Sequence, residues 1–232
     1  MKERPIIFNE YQVRALLSGD MTQVRRIVKP QPDFDEARKM MGPNEGPLSV
    51  VAIDNFAGLG VRYGAAMAYV LPNSFCPFGQ PGDHLYVRES FSRLDSFNFF
   101  DPAVPYEVPD FWYWADGEPA WGDWTRPQSG AVMPRDASRL KLEVTGVRVE
   151  RLRNSDDMTL LGELGDMLDD CDSVAGRAFN HAEHYAIAGV NVGMMPEMHG
   201  FKAWWDKVNG YGSFDASPWV WVIEFKRIEA TT

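Results

Sequence analysis

Residues 140–152 limit what this chain can become more than any other segment. Side chains alternate across a strand with a period of two, so Leu140, Leu142 and Val144 share one face. Val147 and Val149 continue the alternation, but on odd numbers. The phase slips at Thr145-Gly146, and a β-bulge produces such a slip by inserting one extra residue. A long strand bent at a bulge is expected in a curved, barrel-like sheet rather than a flat one. Pro218 to Phe225 adds a second demand. Trp219, Trp221, Ile223 and Phe225 line one face, while Val220 and Val222 line the other. Apolar side chains on both faces predict a strand covered on both sides.

The other elements are arranged around these two strands. Ile6-Ile7-Phe8 reads as a short strand, and Asn9 as the cap of a helix carrying Val13, Leu16 and Leu17 at helical spacing. Gly19-Asp20 ends that helix, and β-branched residues between Thr22 and Val28 predict a strand that Pro30-Gln31-Pro32 stops. His84 to Glu89 is a further strand. Ser155-Asp156-Asp157 starts a helix over 158–167, with Leu160, Leu161 and Leu164 on its apolar side. Residues 168–200 read as irregular helix and loop. A short helix follows over Phe201 to Val208, with Trp204, Trp205 and Val208 packing inward, and Gly210-Tyr211-Gly212 ends it.

Two stretches interrupt this order. Residues 33–80 contain Gly42-Pro43, Gly46-Pro47 and Pro72-Asn73 and read as a partly β insertion. Residues 92–135 are rich in Phe, Trp, Tyr and Pro, and their aromatics are expected to pack beneath a long loop. The expectation is an α+β fold: a mixed β-barrel with flanking helices and two long insertions, in one domain over 1–232.

Charge narrows the partners. Acidic side chains number 33 and basic ones 23, for a formal net charge of −10. Sequence-independent duplex binding needs clustered Lys and Arg, so a broad basic surface is excluded while a local basic pocket is not. No apolar run approaches the roughly 18 residues of a membrane span, and no signal-peptide core follows Met1, so a cytoplasmic protein without a membrane partner is expected. Cys76 and Cys171 lack paired spacing and read as two reduced, buried thiols. Glycine-rich phosphate loops and the GxSxG elbow are absent, so no cofactor is expected. His181 and His184, three apart, read as a polar surface pair rather than a metal site.

One strand carries an oddity. Leu85, Val87 and Glu89 share a face, which sets a carboxylate in line with buried apolar side chains, while Arg88 points the other way. A buried carboxylate needs a partner. Arg25 and Arg26 are the basic candidates, in either a structural ion pair or a ligand site.

Several segments together resemble the ASCH family of the PUA-like superfamily, in the longer version common in bacteriophages and prophages. They are Arg4 to Phe8 with Gly19 to Arg26, Pro81 to Glu89, Met133-Pro134-Arg135 with Ala137-Ser138-Arg139, Leu142 to Thr145 running to Arg151-Leu152, and Asn209 to Gly212 with Pro218 to Phe225. They cover about half the chain in fixed order, with the insertions outside.

The resemblance implies a small β-barrel with a cleft beside the first helix, and binding of RNA or a modified base. Some small members of the family resemble amidohydrolases acting on N4-acetylcytidine through a lysine, a threonine and a glutamate. The family turn reads Gly-x-Lys-Thr-x-Thr-x-Arg. Here the lysine position is Met21 and the second threonine position is Val24, whereas Gly19 and Thr22 are kept. The glutamate position falls on Glu163. Methionine cannot carry a proton and valine has no hydroxyl, so the inherited mechanism fails unless Thr22 with Glu163 or Glu89 replaces it. The expected ligand site is therefore Met21, Val24, Arg25, Arg26, Arg88 and Glu89, with an arginine on phosphate and Glu89 on a base amino group. The expected function is binding of RNA or a modified nucleoside. An amidohydrolase and an acidic phage factor that engages a host protein are the alternatives.

Overall fold

The computed structural model describes residues 1–32, 48–53, 58–63 and 66–228. The chain opens with β1 (Glu3–Ile7), α1 (Glu10–Ser18) and β2 (Gln23–Ile27). The first insertion holds β3 (Leu48–Ile53), β4 (Gly58–Tyr63) and β5 (Ala66–Phe75). β6 (His84–Arg88) leads into β7 (Phe91–Ser96), β8 (Phe111–Tyr113) and β9 (Asp123–Trp124) of the second insertion. β10 (Lys141–Arg151), α2 (Asp157–Leu161), α3 (Val174–Ile187), α4 (Pro196–Asn209), α5 (Ser213–Ala216) and β11 (Trp219–Ile228) complete it.

The class is α+β. The main sheet runs β1-β6-β10-β11-β2. β1 and β6 are parallel, and the remaining pairs are antiparallel. The expected barrel is not closed: β1 and β2 are the two edges, and no ladder joins them among the described residues. Across the gap the Arg26 guanidinium donates to the Ile7 carbonyl at 2.9 Å.

The bulge lies where the phase slip predicts it. Val144 pairs with Phe225 and Gly146 with Glu224, leaving Thr145 without a counterpart. A one-residue slip turns every later side chain over. Leu142 and Val144 before the bulge, and Val147 and Val149 after it, consequently face the same apolar layer. β11 alternates as expected: Trp221, Ile223 and Phe225 enter that layer, while Val220 and Val222 enter another on the opposite face.

The first layer gathers Ile6, Phe8, Val13, Leu16, Leu85 and Val87 beneath α1. Asn9 caps α1 in a capping box with Gln12, its side chain accepting from the Gln12 N–H at 2.8 Å. Gly19, at φ +89°, ends the helix in the left-handed conformation. The second layer holds Leu160 and Leu164 against Phe201, Trp204 and Trp205.

Four expectations change here. The helix over 158–167 breaks at Gly162, and residues Gly165–Leu168 form a 3-10 turn instead. Gly165 has φ +57°, and a Cβ there would lie 2.6 Å from the Tyr11 carbonyl, so the turn presses directly on α1. Residues 168–200 are mostly ordered helix: α3 and α4 each have 14 residues. Val208 is 62% exposed rather than packed inward. Cys171 is exposed; Cys76 alone is buried, and burial pushes its thiol up to about 11.

The first insertion contributes a three-stranded sheet, β3-β4-β5, and its Pro72-Asn73 lies within β5. Gly42-Pro43 and Gly46-Pro47 lie outside the described residues. The second contributes β8-β7-β9 over a small core of Phe91, Met133 and Ala137. Trp124 sits against Trp112 and Trp121, with ring centroids 5.7 and 5.2 Å apart. Among the described residues no helix is long and apolar enough to cross a membrane.

Candidate functional site

β2 sends neighbouring side chains to opposite faces of the sheet. Val24 enters the layer beneath α1, so Arg25 enters the other side, beneath α2. Its Nε donates to Ser155 Oγ at 2.9 Å, and its Nη2 to Thr159 Oγ1 at 2.8 Å. Nη1 donates to the Thr159 carbonyl at 3.2 Å and to Glu163 Oε1 at 2.8 Å. Both charged side chains of the Arg25–Glu163 pair are 0% exposed. The second oxygen, Glu163 Oε2, has no hydrogen-bond partner among the described residues. Burial raises the Glu163 carboxyl above the usual range, although Arg25 pulls the other way.

Glu89 is also buried, at 1% exposure, but its partner is neither Arg25 nor Arg26. Arg139 takes that place, with Nε 2.9 Å from Oε1 and Nη2 3.0 Å from Oε2. The register explains the choice. Lys141 faces Tyr86 in the antiparallel β6–β10 pair, so the chain two residues earlier comes alongside the end of β6. Arg139 also grips Asp116 at 2.6 and 2.8 Å and lies over the Tyr113 ring at 4.1 Å. Burial raises Glu89 against the pull of Arg139.

The remaining sequence-selected residues are spread between these centres. Met21 and Val24 are core side chains, 2% and 0% exposed. Thr22 is exposed, and its carbonyl accepts from the Phe225 N–H at 2.9 Å. Arg26 is committed to the carbonyls of Arg25 and Ile7, and Arg88 donates to the Ala131 carbonyl. Arg25 and Glu163 therefore come together, Glu89 lies with Arg139 and Asp116, and Met21 and Val24 belong to the apolar layer.

The open space beside α1 is built from different residues. A cleft of about 430 Å³ runs between α1, the Trp114–Asp116 turn and the segment carrying Asp166, Asp169 and Asp170. Glu10, Tyr11 and Arg14 of α1 form one wall, and Trp114, Gly117 and Glu118 another. Arg14 donates to Asp166 Oδ2 at 2.9 Å and lies 4.8 Å over the Tyr11 ring. The Tyr11 hydroxyl donates to Asp170, and burial with that bond pushes the phenol well above its usual range. Five carboxylates (Glu10, Glu118, Asp166, Asp169 and Asp170) face one guanidinium, Arg14.

A second groove, of about 730 Å³, lies between α3 and α4. Neither space is lined by Met21, Val24, Arg25, Arg26, Arg88 or Glu89. The resemblance implies a cleft beside the first helix, but sequence reasoning missed the residues that line this one, because a run such as Asp169-Asp170 usually reads as a solvated face. The spacing of Glu10 and Arg14, one helical turn apart, was its one readable signal.

Among the described residues no group of three or more His, Cys, Asp or Glu is placed to hold a metal ion. His181 and His184 stand exposed on α3 and flank Tyr185, with ring centroids 4.9 and 5.8 Å from it. Compared with known proteins, the chain matches no family model, no curated sequence and no solved structure.

Proposed function

We propose that this chain is a PUA-like module that binds a modified nucleoside in the cleft beside α1. The observation that carries the reading is the make-up of that cleft, where Trp114 and Tyr11 stand among carboxylates. An aromatic wall offers a stacking surface, and carboxylates accept hydrogen bonds from exocyclic amino groups. The place fits the resemblance too, since α1 joins the two edge strands of a sheet bent at a bulge.

Charge selects within the ligand class. Five carboxylates against one arginine repel phosphate at close range, which favours a free nucleoside over a strand. Acetyl cleavage by the family route gains no support, because Met21 and Val24 are core side chains and Glu163 is sealed against Arg25.

The test is calorimetric titration of the full chain with cytidine, adenosine, guanosine and N4-acetylcytidine. At least one is expected to bind, and Trp114→Ala is expected to weaken it at least tenfold. Absence of binding by all four overturns the proposal. So does binding that Trp114→Ala leaves unchanged, or displacement of the nucleoside by micromolar spermidine, which would mark a general cation site.

A further inference from the structure

The groove between α3 and α4 has the opposite electrostatic character to the cleft beside α1. Its floor is built from short apolar side chains: Val174 and Ala178 on α3, and Ala203 on α4. Close helix approach explains this choice, since Gly200 of α4 would bring a Cβ within 3.0 Å of the Ala175 carbonyl. Cations stand around the rim. Arg177 comes from α3, and Lys202 and Lys207 from α4. Asp206 is the one carboxylate in the lining; Lys202 lies 3.5 Å from it and also pairs with Asp215 outside the groove. Arg177 and Lys207 are exposed, and neither has a carboxylate partner within ion-pair distance among the described residues. Arg177 donates to the Asp172 carbonyl, a contact that leaves its charge uncompensated.

Tyr211 lies at one end of the groove. It is 101% exposed and stands between Gly210 and Gly212, both at positive φ. A fully exposed tyrosine carried between two such glycines presents its ring to solvent beside two unpaired cations. On a chain of net charge −10, this local excess of positive charge favours an anion. The volume of about 730 Å³ exceeds what a bare oxyanion fills and lies in the range of small-molecule sites.

We propose that this groove is a second binding site, which takes a ligand with a phosphate group and a flat body, the chemistry of a nucleoside monophosphate. Arg177 and Lys207 hold the phosphate, the alanine floor admits the flat body edge-on, and Tyr211 stacks on it. The site is separate from the α1 cleft, and neither proposal depends on the other.

The experiment titrates the full chain by calorimetry with each of the four ribonucleoside 5′-monophosphates, then with inorganic phosphate and the matching nucleoside. It is run in the Trp114→Ala background as well, to silence the α1 cleft. At least one monophosphate is expected to bind tenfold or more tightly than inorganic phosphate, equally in both backgrounds. Arg177→Ala with Lys207→Ala is expected to weaken it at least tenfold, and Tyr211→Ala severalfold. All three residues are exposed, so the melting temperature should stay within 2 °C or so. Failure of all four monophosphates to bind overturns the proposal, as does binding that the arginine–lysine double variant leaves intact. Equal affinity for inorganic phosphate overturns the assignment of a flat body.

Discussion

Two arginine–glutamate pairs of this fold, among the described residues, hold a buried carboxylate, and they are built on opposite terms. Arg25 and Glu163 lie wholly out of water, and Ser155, Thr159 and the Glu150 carboxylate, 3.5 Å from Nε, complete the surroundings of the guanidinium. Arg139 is 26% exposed, covers one buried carboxylate and shares itself with a second, Asp116, that is 38% exposed. Desolvation is complete at the first pair and partial at the second. A charge left alone in a sealed site has no recourse to solvent, whereas one beside a half-open arginine does. The first pair therefore fixes the packing of α2 against β2, and the second clamps the aromatic insertion to the end of β6.

The sharpest break in this comparison comes from Arg25→Ala, which strands Glu163 in the apolar layer. A loss of about 3–5 kcal/mol is expected, read as a lower urea midpoint at unchanged slope. Replacing both partners with apolar residues, Arg25→Met with Glu163→Leu, should recover most of it, because the buried carboxylate is then gone and Glu150, which also loses Arg25, keeps Arg148 at 3.4 Å. If the double variant is no better than the single one, the pair contributes more than mutual neutralisation.

Arg139→Ala is expected to cost less, about 2–3 kcal/mol, because water can reach Glu89 once the guanidinium leaves. Arg139→Lys should recover only part of that loss, since a point charge cannot make both bidentate contacts. An equal cost for Arg25→Ala and Arg139→Ala in urea unfolding would erase the distinction between the two sites.

A pH series sharpens the comparison further. Burial holds Glu163 above the ordinary glutamate value of 4.5, so folding favours its protonated form. Its contribution is then fully present below 4.5 and is lost as pH rises through the raised value. Glu163→Gln leaves the buried Arg25 charge without this carboxylate and so costs stability, but the deficit against the natural chain should narrow as pH rises from 4.5 to 7. A stability difference that stays constant across that interval would show that the carboxyl is not raised.

Asp116→Asn carries the smallest expected effect. This exposed arm is worth about 0–1 kcal/mol, and the difference should fade in 1 M salt. A salt-independent loss of more than 2 kcal/mol or so in the same measurement would place Asp116 among the buried partners instead.

Much of this frame was legible in the residues, and the reasons are local. Period-two alternation, the phase slip at Thr145-Gly146 and the Asn9 cap each depend on neighbours a few positions away, and each appears where it was read. The two-sided burial of β11 follows from the same alternation. α3 was hidden because its buried positions include Ala175, Gly176 and Ala182, small side chains that leave a faint apolar stripe. The start of α4 did carry a signal: Pro196 at the first turn and Met198 three residues before Phe201. The partners of Glu89 and Arg25 were out of reach. Arg139 lies 50 positions from Glu89 and Glu163 lies 138 from Arg25, and only the sheet register and the packing of α2 bring them together. The lining of the cleft beside α1 was obscured in the same way, since its walls come from three separated segments.

Because β11 supplies Trp221, Ile223 and Phe225 to one layer and Val220 and Val222 to the other, it serves as a common wall. During translation, neither half can seal before residues 219–228 have left the ribosome. Until then the nascent protein exposes two greasy surfaces at once.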